Sequence, residues 1–325
     1  MSKVSVLMAA YNAGNYIRES LDSLLSQTMT DWQCICVDDA STDDTLKILR
    51  TYASADKRVE VVVLEENGGQ AHARNVALER ACGQYVCMLD SDDWLSADAL
   101  QCACEVLDSH PDTDSVLFQV EEVGEDRRRY PMPSFRRLTG QEAFELSLTW
   151  AIHGLYMVRA GIHKRFPYDD TTRAYSDDNT TRIHYLHSRF VEQCGGIYYY
   201  RQHPASTTHA VTIRRFDHLK ANESMRRQMV EAQVEDKIIN SYERVRWLNL
   251  IDTYMFYFQN RKRLTPAERQ YGLAEMRRVW GGIDTQKLPL RLKVKPGYMP
   301  LRPLWLLFRL QLETYFTFRK WMGKL

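Results

Sequence analysis

The chain has 325 residues, of which 44% are hydrophobic and 26% charged, enough for one large folded domain and a smaller one. A formal net charge of +1 gives no global attraction for nucleic acid. No run approaches the roughly 18 apolar residues of a transmembrane helix, so a membrane span is not expected.

The near-neutral total hides an asymmetry. Between Gln286 and Leu325 there are nine Lys/Arg and a single acidic residue, Glu313, so this stretch carries +8 and the remainder −7. The seven cysteines, Cys34, Cys36, Cys82, Cys87, Cys102, Cys104 and Cys194, form no C-x-x-C pair, and most lie in apolar runs. They read as reduced small hydrophobes in a cytosolic protein. The opening apolar run after Lys3 is too short for a signal peptide and has no cleavage-like site.

In chain order, residues 4–9 read as a buried-type strand, and 16–26 place Ile17, Leu21, Leu24 and Leu25 at helical spacing. Strands are expected at 32–37, 59–64, 85–89 and 115–120, with helices at 43–53, 70–81 and 97–109 between them. From 121 the pattern loosens: a Pro-containing loop flanked by Arg127–Arg129 and Arg136–Arg137, a short helix at 140–148, and β-like segments at 154–158 and 196–200. Beyond 216 helices are expected at 216–232, 236–260 and 265–280, then a final apolar helix at 301–322. Strand–helix alternation with near-continuous apolar strands implies an α/β fold, a mostly parallel sheet flanked by helices. The expected domains are 1–215, and a helical C-terminal region at 216–325.

Ligands on such sheets sit at the carboxyl ends of the strands. Four successive strands end in polar clusters: Ala10-Tyr11-Asn12-Ala13-Gly14, Asp38-Asp39-Ala40-Ser41-Thr42-Asp43, Asn67-Gly68-Gly69 with Ala73-Arg74-Asn75, and Asp90-Ser91-Asp92-Asp93. One cluster is routine loop chemistry; four on one rim point to a site. Asp90-x-Asp92 is a hard oxygen ligand set suited to Mg²⁺ or Mn²⁺ bridging to a substrate phosphate. Alone, it reads more readily as a helix cap. Asp38 and Asp39 suit the donors of a base and ribose, while Ser41 and Asp43 read as caps. Arg74 is suited to a diphosphate or a carboxylate, or is a surface helix charge. Gly68-Gly69 allows a tight turn close to a ligand. Asp177-Asp178 opens a predicted helix, either as a general base in reach of the rim or as N-terminal caps. His203 is a third metal ligand, a phosphate donor or a satisfied structural histidine. His184 and His187 read as surface or packing residues.

No G-x-G-x-x-G, P-loop or G-x-S-x-G motif is present, which argues against a dinucleotide oxidoreductase, a P-loop ATPase and an α/β-hydrolase.

The residues from Val4 to Asn12, from Val37 to Asp43, from Asn67 to Asn75 and from Leu89 to Asp93 resemble, in that order, the opening strand, nucleotide-binding turn, following motif and D-x-D of family 2 glycosyltransferases of the GT-A fold. The resemblance is specific over 3–120 and looser to about 210. It implies an inverting transfer from a nucleotide diphosphate sugar, usually a UDP-sugar, with Mn²⁺ or Mg²⁺, onto a glycan or lipid-linked glycan acceptor. It implies that Asp39 contacts the base, that Tyr11 and Asp38 lie near the nucleotide, and that Arg74 approaches the diphosphate. Asp90 and the adjoining Ser91 would sit near the ribose and metal, with Asp92 on the metal. Backbone groups at Ala10, which with Ala9 is one of the two positions where the family often has proline, and the Asn67–Gly69 turn would complete the donor site. The family's base is commonly the second residue of a Glu-Asp pair; that pair is Asp177-Asp178 here, which makes Asp178 the base. The first position departs from the pattern, as does Asn179 where a bulky residue is usual. Tyr200-Arg201-x-His203-x-x-Ser206 resembles a segment that closes over the diphosphate in some members.

On a helix over 301–322, Arg302, Arg309, Glu313 and Lys320 would share one stripe, and apolar residues such as Trp305, Leu306 and Trp321 most of the rest. With +8 nearby this suits peripheral attachment to anionic lipid at the cytoplasmic face; packing within the protein or in a dimer is the alternative. Two other functions stand beside transfer: a sugar nucleotidyltransferase, which normally has a Gly-rich basic loop after its first strand, and a non-catalytic nucleotide- or glycan-binding module.

Overall fold

A computed structural model describes residues 2–203 and 211–325. These fall into two compact units. The first comprises residues up to 173 together with the stretch from Asp177 to His203; the second comprises Ala174–Ser176 and the chain from 211 onward.

In the first unit, β1 (Val4–Ala10), α1 (Ile17–Leu25), β2 (Trp32–Asp38), α2 (Thr45–Ala55), β3 (Val59–Val63), α3 (Gln70–Arg80) and β4 (Tyr85–Met88) alternate as the sequence implies. Then come β5 (Trp94–Leu95), α4 (Ala99–Ser109), β6 (Thr113–Val123), β7 (Arg127–Arg129), β8 (Arg137–Thr139) and α5 (Gly140–Ser147). β9 (Tyr156–Arg159), α6 (Ala160–Arg165), α7 (Asp177–Leu186) and β10 (Phe190–Arg201) complete it. The strand order is β3-β2-β1-β4-β9-β6-β10-β5, with β7 on β6 and β8 on β10. Pairing is parallel from β3 through β4, and again between β6 and β10. β9 joins the two parts antiparallel to both neighbours.

The run of buried residues along β1 reflects helices on both faces of the sheet. Val6, Met8, Ile17, Leu21 and Leu24 belong to one core layer; Leu7, Ile35, Val37, Ala71, Ala73 and Ala77 belong to the other. The small side chains of α3 let that helix lie close to β1 and β2, carrying Arg74 inward.

Several expectations are corrected. The Pro-containing stretch 130–136 is a loop as expected, but the arginines flanking it lie in two strands that were not foreseen, β7 and β8. β7 is an edge strand whose Arg129 and Arg127 sit opposite Glu121 and Val123 of β6, so ladder pairing and cross-strand charge override the missing apolar alternation. β5 and α6 were not foreseen, and β10 begins six residues before the segment expected at 196–200. Ser41 does not cap α2: its hydroxyl accepts from the Asn12 amide at 3.0 Å, whereas Asp43 accepts from the Thr45 amide at 2.9 Å. Arg74 is buried and is no surface charge. His184 takes the packing alternative of its reading: it lies in the interior, bonded to Tyr156 and the Phe166 carbonyl. All seven cysteines are free.

The second unit is helical: α8 (Asp217–Glu231), α9 (Asp236–Asn260), α10 (Pro266–Gly282), α11 (Leu290–Lys293) and α12 (Trp305–Trp321). Its core joins Phe216, Trp247, Tyr254, Met276 and Trp280 to Phe308, Leu312 and Phe316 of α12. The last helix begins at Trp305, after Pro303, because the proline ring disfavours helical backbone at the preceding Arg302. Arg302 is therefore not on the α12 stripe. Its guanidinium bonds instead to the carbonyls of Trp280, Gly281 and Ile283. No described helix is long and apolar enough to cross a membrane.

Candidate active site

The parallel register aligns the ends of β1 and β2, Ala10 opposite Asp38, and so puts the polar clusters on one rim. The Ala10 carbonyl accepts from the Asp39 amide at 2.9 Å. Asp39 closes the next turn: its carboxylate oxygens accept from the amides of Gly68 at 2.7 Å and Gly69 at 2.9 Å, and its carbonyl from Asn67 Nδ2 at 3.1 Å. Gly69 has φ +91°, and a Cβ there would meet the Arg173 backbone at 3.2 Å, so both conformation and space require glycine. Two acceptors on this side, Asp38 Oδ1 and Asn67 Oδ1, are buried and have no partner among the described residues. Buried oxygens without donors are costly in a finished core, and they fit a ligand that brings N–H or O–H groups, as a base and ribose do. Tyr11 beside them is 46% exposed.

At the end of β4, the Asp90 amide donates to the Tyr198 hydroxyl at 3.1 Å, and that hydroxyl donates to Asp93 Oδ2 at 2.9 Å. Asp93 Oδ1 accepts from the Arg201 amide at 2.7 Å. Asp93 is thus a buried anchor tying the turn to β10. Burial and the nearby Asp90 and Asp92 carboxylates push its carboxyl well above the usual range. Asp90, Asp92 and Asp93 each offer an oxygen, all within 4.8 Å of one another. Since Asp93 is engaged on both oxygens, Asp90 and Asp92 are the pair open to a cation. Burial and Asp90 raise the Asp92 carboxyl, against the opposing effect of His203.

His203 Nε2 lies 2.9 Å from Asp92 Oδ2. That distance serves a hydrogen bond. It also matches the separation of about 3.0 Å between adjacent ligands of an octahedral ion with bonds near 2.1 Å. Two carboxylates and an imidazole fit Mg²⁺ or Mn²⁺ chemically. Tyr16 packs against His203 at a tilt of 34° with centroids 4.6 Å apart, and Arg201 Nε donates to the Asp92 carbonyl at 2.7 Å. Ser91 sits partly exposed between the two aspartates, and Ser206 lies outside the described residues.

Arg74 joins this rim to α7. Its Nη2 donates to Asp90 Oδ1 at 2.5 Å and its Nη1 to Asp177 Oδ2 at 2.8 Å. Burial disfavours its charge, and the Asp90 and Asp177 carboxylates more than offset this. Gln70 Nε2 also donates to Asp90 Oδ1, at 3.0 Å. One chain of contacts therefore runs from Asp39 through the 68–70 turn, Asp90 and Arg74 to the start of α7. There Asp178 is half-buried, and desolvation and the Asp177 carboxylate raise its carboxyl to about 7, against Arg182 and Arg74. Such a group is partly ionised at neutral pH, and its carboxylate form is basic enough to accept a proton.

The sequence reading did not find the roles of Gln70, Asp93, Tyr16 and Tyr198. Asp93 and Tyr198 lie far apart in the chain and meet only through strand pairing.

The family model for glycosyl transferase family 2 matches residues 5–167, half of the chain. The chain belongs to glycosyl transferase family 2. Of this family's relatives, the putative teichuronic acid biosynthesis glycosyltransferase TuaG of Bacillus subtilis (strain 168) is 52% identical over 98 residues, covering 30% of this chain and 39% of that protein. The poly(ribitol-phosphate) beta-N-acetylglucosaminyltransferase TarS of Staphylococcus aureus (strain Mu50 / ATCC 700699) is 37% identical over 139 residues, 42% of this chain and 24% of that one. The chain spans less than half the length of both curated relatives. The crystal structure of S. aureus TarS 1–349 in complex with UDP-GlcNAc matches with a TM-score of 0.71 at 20% identity, over 99% of this chain and 92% of that one. This family 2 chain has the GT-A fold with a helical C-terminal region.

Proposed function

We propose that this chain is an inverting, metal-dependent glycosyltransferase that moves a sugar from a UDP-sugar onto an acceptor hydroxyl in cytoplasmic steps of surface-glycan synthesis. The observation that carries the reading is the contact chain from Asp39 through Asp90 and Arg74 to Asp177, which links unpartnered acceptors at the nucleotide side to a carboxyl held near neutrality at Asp178. The activities for which TuaG and TarS are named support a surface polymer as acceptor.

In this proposal Asp38, Asp39 and Asn67 accept from the base and ribose beside Tyr11, and the backbone at Ala10 and Gly69 lets the nucleotide approach. Asp90, Asp92 and His203 hold Mn²⁺ or Mg²⁺, with Ser91 at the ribose. The cation, when bound, supplies charge neutralisation for the departing diphosphate, an effect worth several kcal/mol in such sites. Arg74 keeps Asp90 and Asp177 oriented. Asp178 takes the proton of the acceptor hydroxyl as its oxygen forms the new glycosidic bond and the bond to UDP breaks.

The nucleotidyltransferase reading is disfavoured by Ala10–Asn15, which has no basic residue. A panel of nucleotide sugars with Mn²⁺ and candidate surface-glycan acceptors, scored by released nucleoside diphosphate, tests the proposal. UDP release from one UDP-sugar, abolished by chelation, is expected. Tight UDP binding with no turnover of any donor would favour the non-catalytic module instead.

A further inference from the structure

The exposed large hydrophobic residues are not scattered. Among the described residues fourteen are exposed, and nine of these fall between Leu290 and Met322. On α12 they have a definite geometry. Phe308, Leu312 and Phe316, four residues apart, form one buried stripe against Trp247, Tyr254 and Trp280. At about 100° per residue the opposite face presents Leu306, Leu307, Leu310, Thr314, Phe318 and Trp321, all exposed and none charged. Leu306 is 74% exposed, Leu310 62% and Trp321 82%. A surface helix normally turns charge outward, so this helix is apolar on two opposite faces.

The charge carried by the chain segment around the free face is predominantly positive. Glu313, the only acidic residue from 286 to 325, is occupied by Arg261 Nη1 and the Tyr254 hydroxyl. Lys320 and Lys324 are exposed at the far end of the helix, and α11 and its flank expose Leu290 and Val294 beside Arg291 and Lys295. The segment's net +8 opposes pairing with a second copy of itself and complements an anionic surface. Seventeen residues with four charges cannot span a bilayer, but their geometry suits a helix lying in its interface.

We propose that the outer face of α12 docks the protein on an anionic phospholipid bilayer, with the helix parallel to the surface, the leucines and Trp321 entering the headgroup–acyl boundary, and the lysines meeting lipid phosphates. This does not depend on the transferase reading. Co-flotation of the full chain with vesicles of phosphatidylcholine alone, or mixed with phosphatidylglycerol, tests it. Binding is expected to the mixed vesicles only, and to weaken as salt rises. Leu310→Asp with Trp321→Asp should lower binding by about tenfold or more. Lys320→Glu with Lys324→Glu should lower it by roughly fivefold or more. Both double variants should keep the wild-type unfolding midpoint, since all four side chains are exposed. Equal binding to both vesicle types would overturn the proposal. So would absence of flotation, or a wild-type dimer by light scattering that Leu310→Asp with Trp321→Asp dissolves without any effect on vesicles.

Discussion

The rim at the strand ends of the first unit and the outer face of α12 in the second are opposite in chemistry. The rim crowds three aspartates within 4.8 Å and leaves buried acceptors without donors. The helix face spreads leucines, a phenylalanine and a tryptophan over solvent. Neither arrangement is what packing or solubility selects: like carboxylates repel, unpaired acceptors cost free energy, and exposed leucines gain none. Immediately beside each lies a region that packing does explain. Asp93 is one residue from Asp92 and fully hydrogen-bonded; Leu312 is two residues from Leu310 and fully buried. Function is therefore to be sought in the member of each neighbouring pair that packing alone does not explain.

Substitutions can break or sharpen that contrast. Asp92→Ala should cut sugar transfer by about 100-fold or more, as expected when a charge-stabilising group is lost, without lowering the unfolding midpoint, because it relieves carboxylate crowding. Unchanged turnover with Mn²⁺ present would remove Asp92 from the site. Arg74→Ala leaves Asp177 and Asp90 without their shared cation, and urea unfolding should show a loss of about 3–5 kcal/mol. A change under about 1 kcal/mol would mean that Arg74 ties nothing together. In the second unit Leu312→Ala should cost about 2–5 kcal/mol, whereas Leu310→Ala should stay within about 0.5 kcal/mol. Equal costs would deny that α12 has distinct inner and outer faces.

The smallest effect concerns pH. Asp178 must be ionised to accept a proton, and its carboxyl is raised to about 7, so kcat/KM should rise with pH through that region. Asp177→Asn removes the like charge that helps to raise it and should move the rising limb to lower pH by roughly one unit. A shift to higher pH would contradict the assignment of cause.

Much of the first unit was legible because strand–helix alternation states which strand ends share a rim, and the four polar clusters fall on those ends. What was not legible depended on partners distant in the chain. Asp93 reads as one more acidic residue until β10 brings Tyr198 and the Arg201 amide against it. Arg74 reads as a partner for a diphosphate or a carboxylate, but its spacing does not say which carboxylate until Asp177, 103 positions away, reaches it. β7 has three arginines and no apolar alternation, so only its pairing with β6 makes it a strand. On α12 both faces are apolar, and sequence spacing cannot tell Leu312 from Leu310; contact with α9 decides which is inner.

The central claim is that Asp178 acts as base on a sugar held at the rim, and donor binding measured beside turnover for Asp178→Asn tests it most directly. The account predicts that UDP-sugar affinity with Mn²⁺ stays within about twofold of wild type while kcat falls by about 100-fold or more. Wild-type kcat in the variant, with affinity intact, would contradict it.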